Sequence, residues 1–221
     1  MYIGANIIQI YNRQSQPFYY MMSNEKRKSG KKLNSILRQA RKEYEFNTKQ
    51  RTPEKLTNNL SVETFWEAEN QLLQQVPSHV SNHSCIADID IFRNIIKWKA
   101  PRVQGYTREL SSDEVKNVTE RALNHDRANN ILDTFTELKG VGPSVASAIL
   151  MYVNPDRYTV MDPRATAALS NLGYWELPNE ASTELYQTYC LRVQELSQKS
   201  TLNLRDVDRA LFEISDTKYN I

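Results

Sequence analysis

Apolar residues recur along this chain at spacings of three and four, and no stretch keeps the alternation of a half-buried strand, so the pattern predicts an all-α protein. Leu33, Ile36, Leu37 and Ala40 share one face and predict a helix around Leu33–Tyr44. Thr52-Pro53-Glu54 reads as an N-cap with proline at the first helical position, opening a short helix to Asn58. Ser61 is then expected to cap Val62–Val76, which turns Val62, Phe65, Trp66, Leu72, Leu73 and Val76 inward, with Pro77 as its stop. Pro77–Cys85 is expected as a polar loop holding His79 and His83. Ile86–Lys99 follows, with Ile89, Phe92, Ile95 and Ile96 inward, and Ala100-Pro101 ends it. Ser111 and Glu114 have the spacing of a capping box opening a helix to Leu123. His125–Leu138 carries Ile131, Leu132, Phe135 and Leu138 on its inner face.

The stretch from Leu138 to Asp162 organises what surrounds it. Gly140 closes a helical run, where a left-handed residue is expected. Gly142 lacks a Cβ and lets another backbone approach, and Pro143 suits the first position of a new helix. That helix buries Val145, Ala146, Ile149 and Leu150, and its first N–H groups are aimed outward, ready for an anion such as a DNA phosphate. An Asn154-Pro155-Asp156 turn leads through Tyr158-Thr159-Val160-Met161 to Asp162, the expected cap of a helix from Pro163 that Gly173 ends. Ser182 is expected to cap a longer helix reaching about Gln198, and Asn203 a last one carrying Leu204–Ile214. No repeat recurs at a solenoid period.

Composition places these helices in one domain with a tail. The chain has 221 residues, 40% hydrophobic and 24% charged, enough for a proper core. No apolar run reaches membrane-span length, and the N-terminal Met1–Tyr11 lacks a positive region before its apolar residues, so no membrane and a cytoplasmic (nucleoid-associated, if prokaryotic) location are expected. The two cysteines, Cys85 and Cys190, form no C-x-x-C and suit a reducing compartment. His79, His83 and Cys85 resemble a metal cluster in composition only, one ligand short of a structural zinc. The net charge of +2 hides an asymmetry: residues 1–60 carry 12 Lys+Arg against 4 Asp+Glu, the remainder 16 against 22. Residues 1–50 read as a basic arm, partly helical or disordered, either drawn to polyanions or simply solvated, and residues 51–221 as the helical domain.

The Gly-Val-Gly hairpin, its second helix and the spaced Asp162 resemble the helix-hairpin-helix, Gly/Pro-rich loop and aspartate of the HhH-GPD superfamily of DNA glycosylases. Two cysteines cannot supply the four-cysteine iron–sulfur cluster of some members. The resemblance implies a two-lobed helical bundle that acts as a monomer on double-stranded DNA, flips out a modified base and hydrolyses its N-glycosidic bond, as in base excision repair. It makes Asp162 the catalytic carboxylate, placed to stabilise positive charge on the sugar and to orient or deprotonate water. Plain helix capping is the alternative role for Asp162, and the two coexist because the helix N-terminus holds the carboxylate ionised.

Bifunctional relatives carry a lysine, which forms a Schiff base with the sugar, where this chain has Ser144; base release without strand nicking is therefore expected. Should another amine reach the sugar, Lys139, Lys97 and Lys99 are first in line. Lys139 stands where the family usually has proline and is expected to contact phosphate; the resemblance itself assigns Gly140, Gly142 and the N–H groups of Ser144 and Val145 to phosphate. It assigns the main-chain carbonyls of Thr136, Leu138 and Val141 to a K+ or Na+ ion, with no other cofactor required. Turn geometry alone also explains the glycines.

Asp208-Arg-Ala-Leu-Phe212 is similar to the segment with which 8-oxoguanine glycosylases read and stack on the flipped base, although a glutamine stands there in place of Asp208, and the chain has no room for the β-domain of the eukaryotic enzymes. A core Phe212 and a solvated Asp208 are the alternative. Lys97–Arg102 is another candidate phosphate or pocket stretch, with surface and core roles equally open. Against the glycosylase stand a non-catalytic hairpin DNA-binding module and a glycosylase directed at modified foreign (phage) DNA; the aspartate at its family distance favours an enzyme.

Overall fold

The computed structural model describes residues 30–53, 60 and 62–214. Among these are ten α-helices and no strand, an all-α bundle as the hydrophobic spacing predicts. The expected cap at Ser61 and most of the Thr52–Asn58 helix lie outside the described residues.

Helix α1 (Gly30–Lys49) packs mainly on the last helix, α10 (Leu204–Ile214), and touches α2 (Phe65–His83) and α9 (Tyr186–Ser200). Leu33, Leu37 and Ala40 on its inner face are fully buried. The stretch read as a basic arm therefore contributes, from Gly30 onward, a helix of the common core. Emptying such a site by Leu→Ala costs about 2–5 kcal/mol, so α1 is not removable.

Helix α2 corrects two expectations. Thr64 caps it, through a capping box with Glu67, and it runs past Pro77 to His83. Proline removes one helical hydrogen bond, to the Leu73 carbonyl. Continuing the helix packs Val76 and Val80 against the core, and Ser84 closes the end with a left-handed turn whose N–H reaches the Val80 carbonyl at 2.7 Å. His79 and His83 thus lie on a helix rather than in a loop, with their rings stacked at 4.3 Å. His79 Nε2 accepts the Ala87 N–H at 3.0 Å, so that nitrogen is committed to the fold.

Helix α3 (Ile89–Lys99) starts later than expected because Asp88 caps it, accepting the Asp90 N–H at 2.8 Å. A 3-10 turn (Pro101–Val103) and a short α4 (Gln104–Thr107) lead to α5 (Ser112–Leu123), which opens with the expected Ser111–Glu114 capping box. Helix α6 (Ala128–Phe135) is shorter than the predicted His125–Leu138, and Thr136–Gly140 turns away as the chain approaches the next helix. Helix α7 (Pro143–Val153) is buried continuously from Val145 to Tyr152, and its neighbours α2, α3 and α6 surround it. A helix apolar on all sides belongs at the centre of a bundle.

Helix α8 (Pro163–Asn171) ends in Leu172 and a left-handed Gly173 at φ 78°. Helix α9 starts at Tyr186, beyond the expected Ser182, whose hydroxyl instead bonds the Glu184 carboxylate. Asn203 accepts the Asp206 N–H at 2.7 Å and so caps α10 as predicted. Helices α1, α8, α9 and α10 pack on one another, as do α3, α5, α6 and α7, and α2 bridges the two sets. No helix among the described residues is long and apolar enough to cross a membrane.

Candidate functional site

The short segment Tyr158–Asp162 runs between α7 and α8 and is tied at almost every residue. Tyr186 donates its hydroxyl to the Thr159 carbonyl and Tyr189 to that of Val160, each at 2.9 Å. The Val160 N–H donates to Asp208 Oδ2 at 3.2 Å, and the Met161 N–H to Ser147 Oγ at 3.0 Å. Three helices thereby fix the backbone leading into Asp162, the kind of support a reacting group needs to keep its geometry.

Asp162 caps α8 as predicted, its Oδ1 accepting the Ala165 N–H at 3.0 Å. Its other oxygen, Oδ2, accepts a hydrogen bond from Lys99 Nζ at 2.6 Å. The two side chains are 11% and 12% exposed. Burial works to raise the Asp162 pKa, but the Lys99 charge and hydrogen bond, joined by the N–H groups of Ala165 and Arg164, outweigh it and hold the carboxyl below its ordinary value. Lys99, the last residue of α3, is a partner that sequence reasoning placed among reserve amines and in a candidate phosphate or pocket stretch, but did not pair with Asp162. Its signal was present: Phe92, Ile95, Ile96 and Lys99 follow one helical stripe, and a lysine on an apolar stripe calls for a buried partner.

Two hollows meet at this pair. One, of about 180 Å³, is walled by Tyr44, Phe65, Trp98 and Phe212 and floored by Asp208 and Arg205. Phe65 and Trp98 lie parallel with centroids 6.0 Å apart, Tyr44 stands edge-on to Phe212 at 5.8 Å, and the Arg51 guanidinium lies 4.7 Å from the Phe65 ring. The other is a wider cleft lined by Gly140, Gly142, Ser144 and Val145 on one side and by Arg102 and Arg164 on the other. Asp162, Lys99 and Phe212 line both. Planar aromatic walls suit a planar ring, and the wider cleft offers two arginines and a helix N-terminus to an anionic backbone.

The hairpin candidates divide between those that line the cleft and those that do not. Gly140 is left-handed at φ 84°, as predicted, and a Cβ there would sit 2.8 Å from that of Tyr106. Gly142 takes ordinary extended backbone as the N-cap of α7, at φ −89° and ψ 176°. The Val145 N–H, expected to face phosphate, turns back to the Gly142 carbonyl at 2.9 Å, because the first turn of α7 tightens. Pro143 has no N–H, so Ser144 carries the leading donor of that helix.

Lys139 is exposed and paired with Glu109, and it lines neither hollow. Lys97 faces different surface hollows, so the Lys97–Arg102 stretch reaches the site through Trp98, Lys99, Pro101 and Arg102. Of the carbonyls assigned to a monovalent ion, that of Leu138 accepts the Val141 N–H at 2.9 Å, and Thr136 and Val141 flank it in the turn. Among the described residues no group of three His, Cys, Asp or Glu side chains is disposed for a metal.

Asp208 is buried rather than solvated. Its Oδ2 receives both the Val160 N–H and Arg205 Nη1, and burial pushes its carboxyl up, with Arg205 and the Val160 N–H pulling back. Phe212 is half-buried, with the Arg164 guanidinium 4.1 Å from its ring centroid. Behind both lies a carboxylate the sequence reading missed. Glu69, fully buried, accepts Arg205 Nε at 3.0 Å, Arg209 Nε at 2.8 Å and the Tyr44 hydroxyl at 2.6 Å. Both cysteines are free and buried, and burial drives the Cys190 thiol up to about 12, far from a thiolate nucleophile. Comparison with known proteins returns no match: no protein-family model fits the chain, and no curated protein or solved structure is significantly similar to it.

Proposed function

We propose that this protein is a DNA glycosylase that flips a modified base from double-stranded DNA and hydrolyses its N-glycosidic bond at Asp162. The observation that carries the reading is that Asp162 lies where the aromatic-walled hollow meets the wider cleft. A strand seated in the cleft, with its phosphates toward Ser144, Arg102 and Arg164, leaves the hollow for an extruded base. The sugar carbon joining base to backbone then falls beside the carboxylate. As the base departs with the bonding electrons, positive charge grows on the sugar, and a fixed carboxylate there lowers the barrier. The same carboxylate orients the water that completes the substitution.

Asp208 and Phe212 belong to the base side in this reading. Phe212 offers a ring face, and Asp208, tied to Val160 and Arg205, holds the wall beside the base. Ser144 has no amine, and Lys139 is paired with Glu109 away from both hollows, so the hairpin offers no amine to the sugar in this reading. A K+ or Na+ ion at the Thr136–Val141 turn would serve phosphate contact and not bond cleavage.

Asp162→Asn tests this. Asparagine still caps a helix, so the fold stays. Base release is expected to fall by at least about 100-fold, the scale of a lost acid–base or electrostatic group, while duplex affinity holds or tightens slightly. Full release by the Asn variant would sink the assignment.

A further inference from the structure

We propose that the surface hollow between α3 and α4 is an oxyanion site for a phosphoryl group, separate from the Asp162 cleft. The hollow holds about 310 Å³ and is lined by Asp90, Arg93, Lys97, Gln104, Thr107 and Arg108. None of these residues lines either hollow at Asp162. Three cations therefore face one carboxylate in a concave space, and the surplus of positive charge calls for an anion.

Two elements bring the cations together. Arg93 and Lys97 stand four residues apart on α3 and so share a face. Arg108 follows α4, whose single turn is closed by the Arg108 N–H on the Gln104 carbonyl at 3.0 Å. The buried Thr107 hydroxyl donates to the same carbonyl at 3.2 Å.

Ordinary structural roles account for part of this cluster. A lysine in the last turn of α3 meets the negative end of the helix dipole, and Arg93 lies one turn after Asp90. They account neither for Arg108 nor for the imbalance. Arg93 Nη1 stands 3.8 Å from Asp90 Oδ1, longer than a hydrogen bond, and Arg93 Nε is buried with no hydrogen-bond partner among the described residues. The side chains of Lys97, Gln104 and Arg108 make no hydrogen bond or salt bridge with the described residues. Burial and the Arg108 charge, with Arg93 behind them, hold the Lys97 ammonium below its ordinary pKa despite Asp90. An oxyanion seated among these groups relieves their repulsion and accepts charge-assisted hydrogen bonds from more than one of them.

The favoured source is a phosphate of a nucleic-acid strand. A neighbouring hollow shares Lys97 with this one, and Arg51, Phe65 and Pro101 with the aromatic-walled hollow. Arg51, Lys97, Arg93 and Arg108 thus mark a run of cations leading away from the aromatic walls, which offers a strand's backbone successive charges. This choice of source rests on the reading of the Asp162 cleft as a nucleic-acid site, whereas the oxyanion site itself does not. A free phosphate monoester supplies the same chemistry.

Inorganic phosphate, titrated into the full chain at constant ionic strength, tests the site, with the side-chain Nε–H signals of Arg93 and Arg108 followed by NMR. Saturable shifts at both are expected, with affinity weakened at least about tenfold in Arg108→Gln and in Lys97→Gln, the scale of one hydrogen bond to a charged group. Neither replaced side chain has a protein partner, so the thermal midpoint should hold. Duplex binding by the same variants separates the sources. A strand phosphate in the hollow makes the slope of log affinity against log salt shallower by about 0.9 in each variant. An unchanged slope beside intact phosphate binding assigns the site to a free phosphoryl compound. No saturable shift at Arg93 and Arg108, together with unchanged salt slopes, overturns the proposal. So do shifts confined to Ser144, Arg102 and Arg164. A chain that binds phosphate in this hollow yet binds no duplex removes the reading of the Asp162 cleft and leaves the oxyanion site standing.

Discussion

Two buried carboxylates with basic partners, Glu69 and Asp162, make an instructive pair. Glu69 is enclosed, and its hydrogen bonds from Arg205, Arg209 and Tyr44 fasten α1 and α2 to α10. Asp162 joins α3 to the start of α8, with one oxygen on a backbone N–H and the other on a single lysine, and both hollows open onto it. Burial works to raise both pKa values. In Glu69 the charges of Arg205 and Arg209 overcome it, and in Asp162 the Lys99 charge does most of that work. A carboxylate fully enclosed by arginines serves the fold, whereas one that leans on a single lysine at the edge of two hollows is, under the proposed function, able to exchange that partner for substrate. Arg205 connects them, bonding Glu69 and Asp208 together, and Asp208 in turn holds the Val160 N–H two residues before Asp162.

Exchanging the two losses would break this contrast. Asp162→Asn is expected to abolish base release at a loss of stability clearly smaller than that of Glu69→Gln, because one lysine near the surface loses its counter-charge and the helix cap is kept. Glu69→Gln is expected to do the reverse, costing about 3–5 kcal/mol of stability because two buried guanidinium groups lose their counter-charge, while release per folded molecule persists. Denaturant titration beside a base-release assay reads both. Equal stability losses in the two variants would erase the distinction.

Acid sharpens it further. The folded-state pKa values of Glu69 and Asp162 are lowered, so the stability they give is present above their unfolded values, about 4.3 and 3.9, and is lost as pH falls through the folded values. Asp208 is shifted up and works the other way, weakening the fold as it ionises. Stability of the parent should therefore drop steeply below about pH 4, and Glu69→Gln should show a shallower acid limb. An acid limb of unchanged steepness would mean that Glu69 does not gain from its arginines.

The legible parts of the fold were those written within a few residues of one another. Ser111 with Glu114, Gly140 before Pro143, and Asp162 before Pro163 each satisfy a local backbone demand and stand as predicted. Pro77 misled because its local cost was outweighed by the core packing of Val76 and Val80 farther along α2. The Lys99–Asp162 and Glu69–Arg205 pairs join residues 63 and 136 apart, and no spacing rule reaches that far. A trace of both was visible nonetheless. Glu69 falls on the stripe of Phe65, Leu72 and Val76, and Lys99 on that of Phe92, Ile95 and Ile96. A charged residue on an apolar stripe points to a buried partner without naming it.

Smaller effects are expected away from the two carboxylates. Gly140→Ala meets a positive φ and the Tyr106 Cβ at 2.8 Å, and should cost about 1–3 kcal/mol with duplex affinity falling alongside. A variant as stable as the parent would show that Tyr106 yields without cost. Because α1 is part of the core, the basic N-terminal stretch is best tested by deleting residues 1–29, which carry four Lys+Arg and one Asp+Glu. The slope of log affinity against log salt should become shallower by up to about 3, at roughly 0.9 for each phosphate no longer neutralised. An unchanged slope would place that stretch off the DNA.

The central claim is base release at Asp162, and one measurement addresses it directly. Duplexes carrying a panel of damaged and hypermodified bases are incubated with the parent and with Asp162→Asn, and free bases are identified by mass spectrometry. The parent is expected to liberate one base or a small related set, and the Asn variant none above background. Duplex binding with no base released by the parent, or equal release by both proteins, would contradict it.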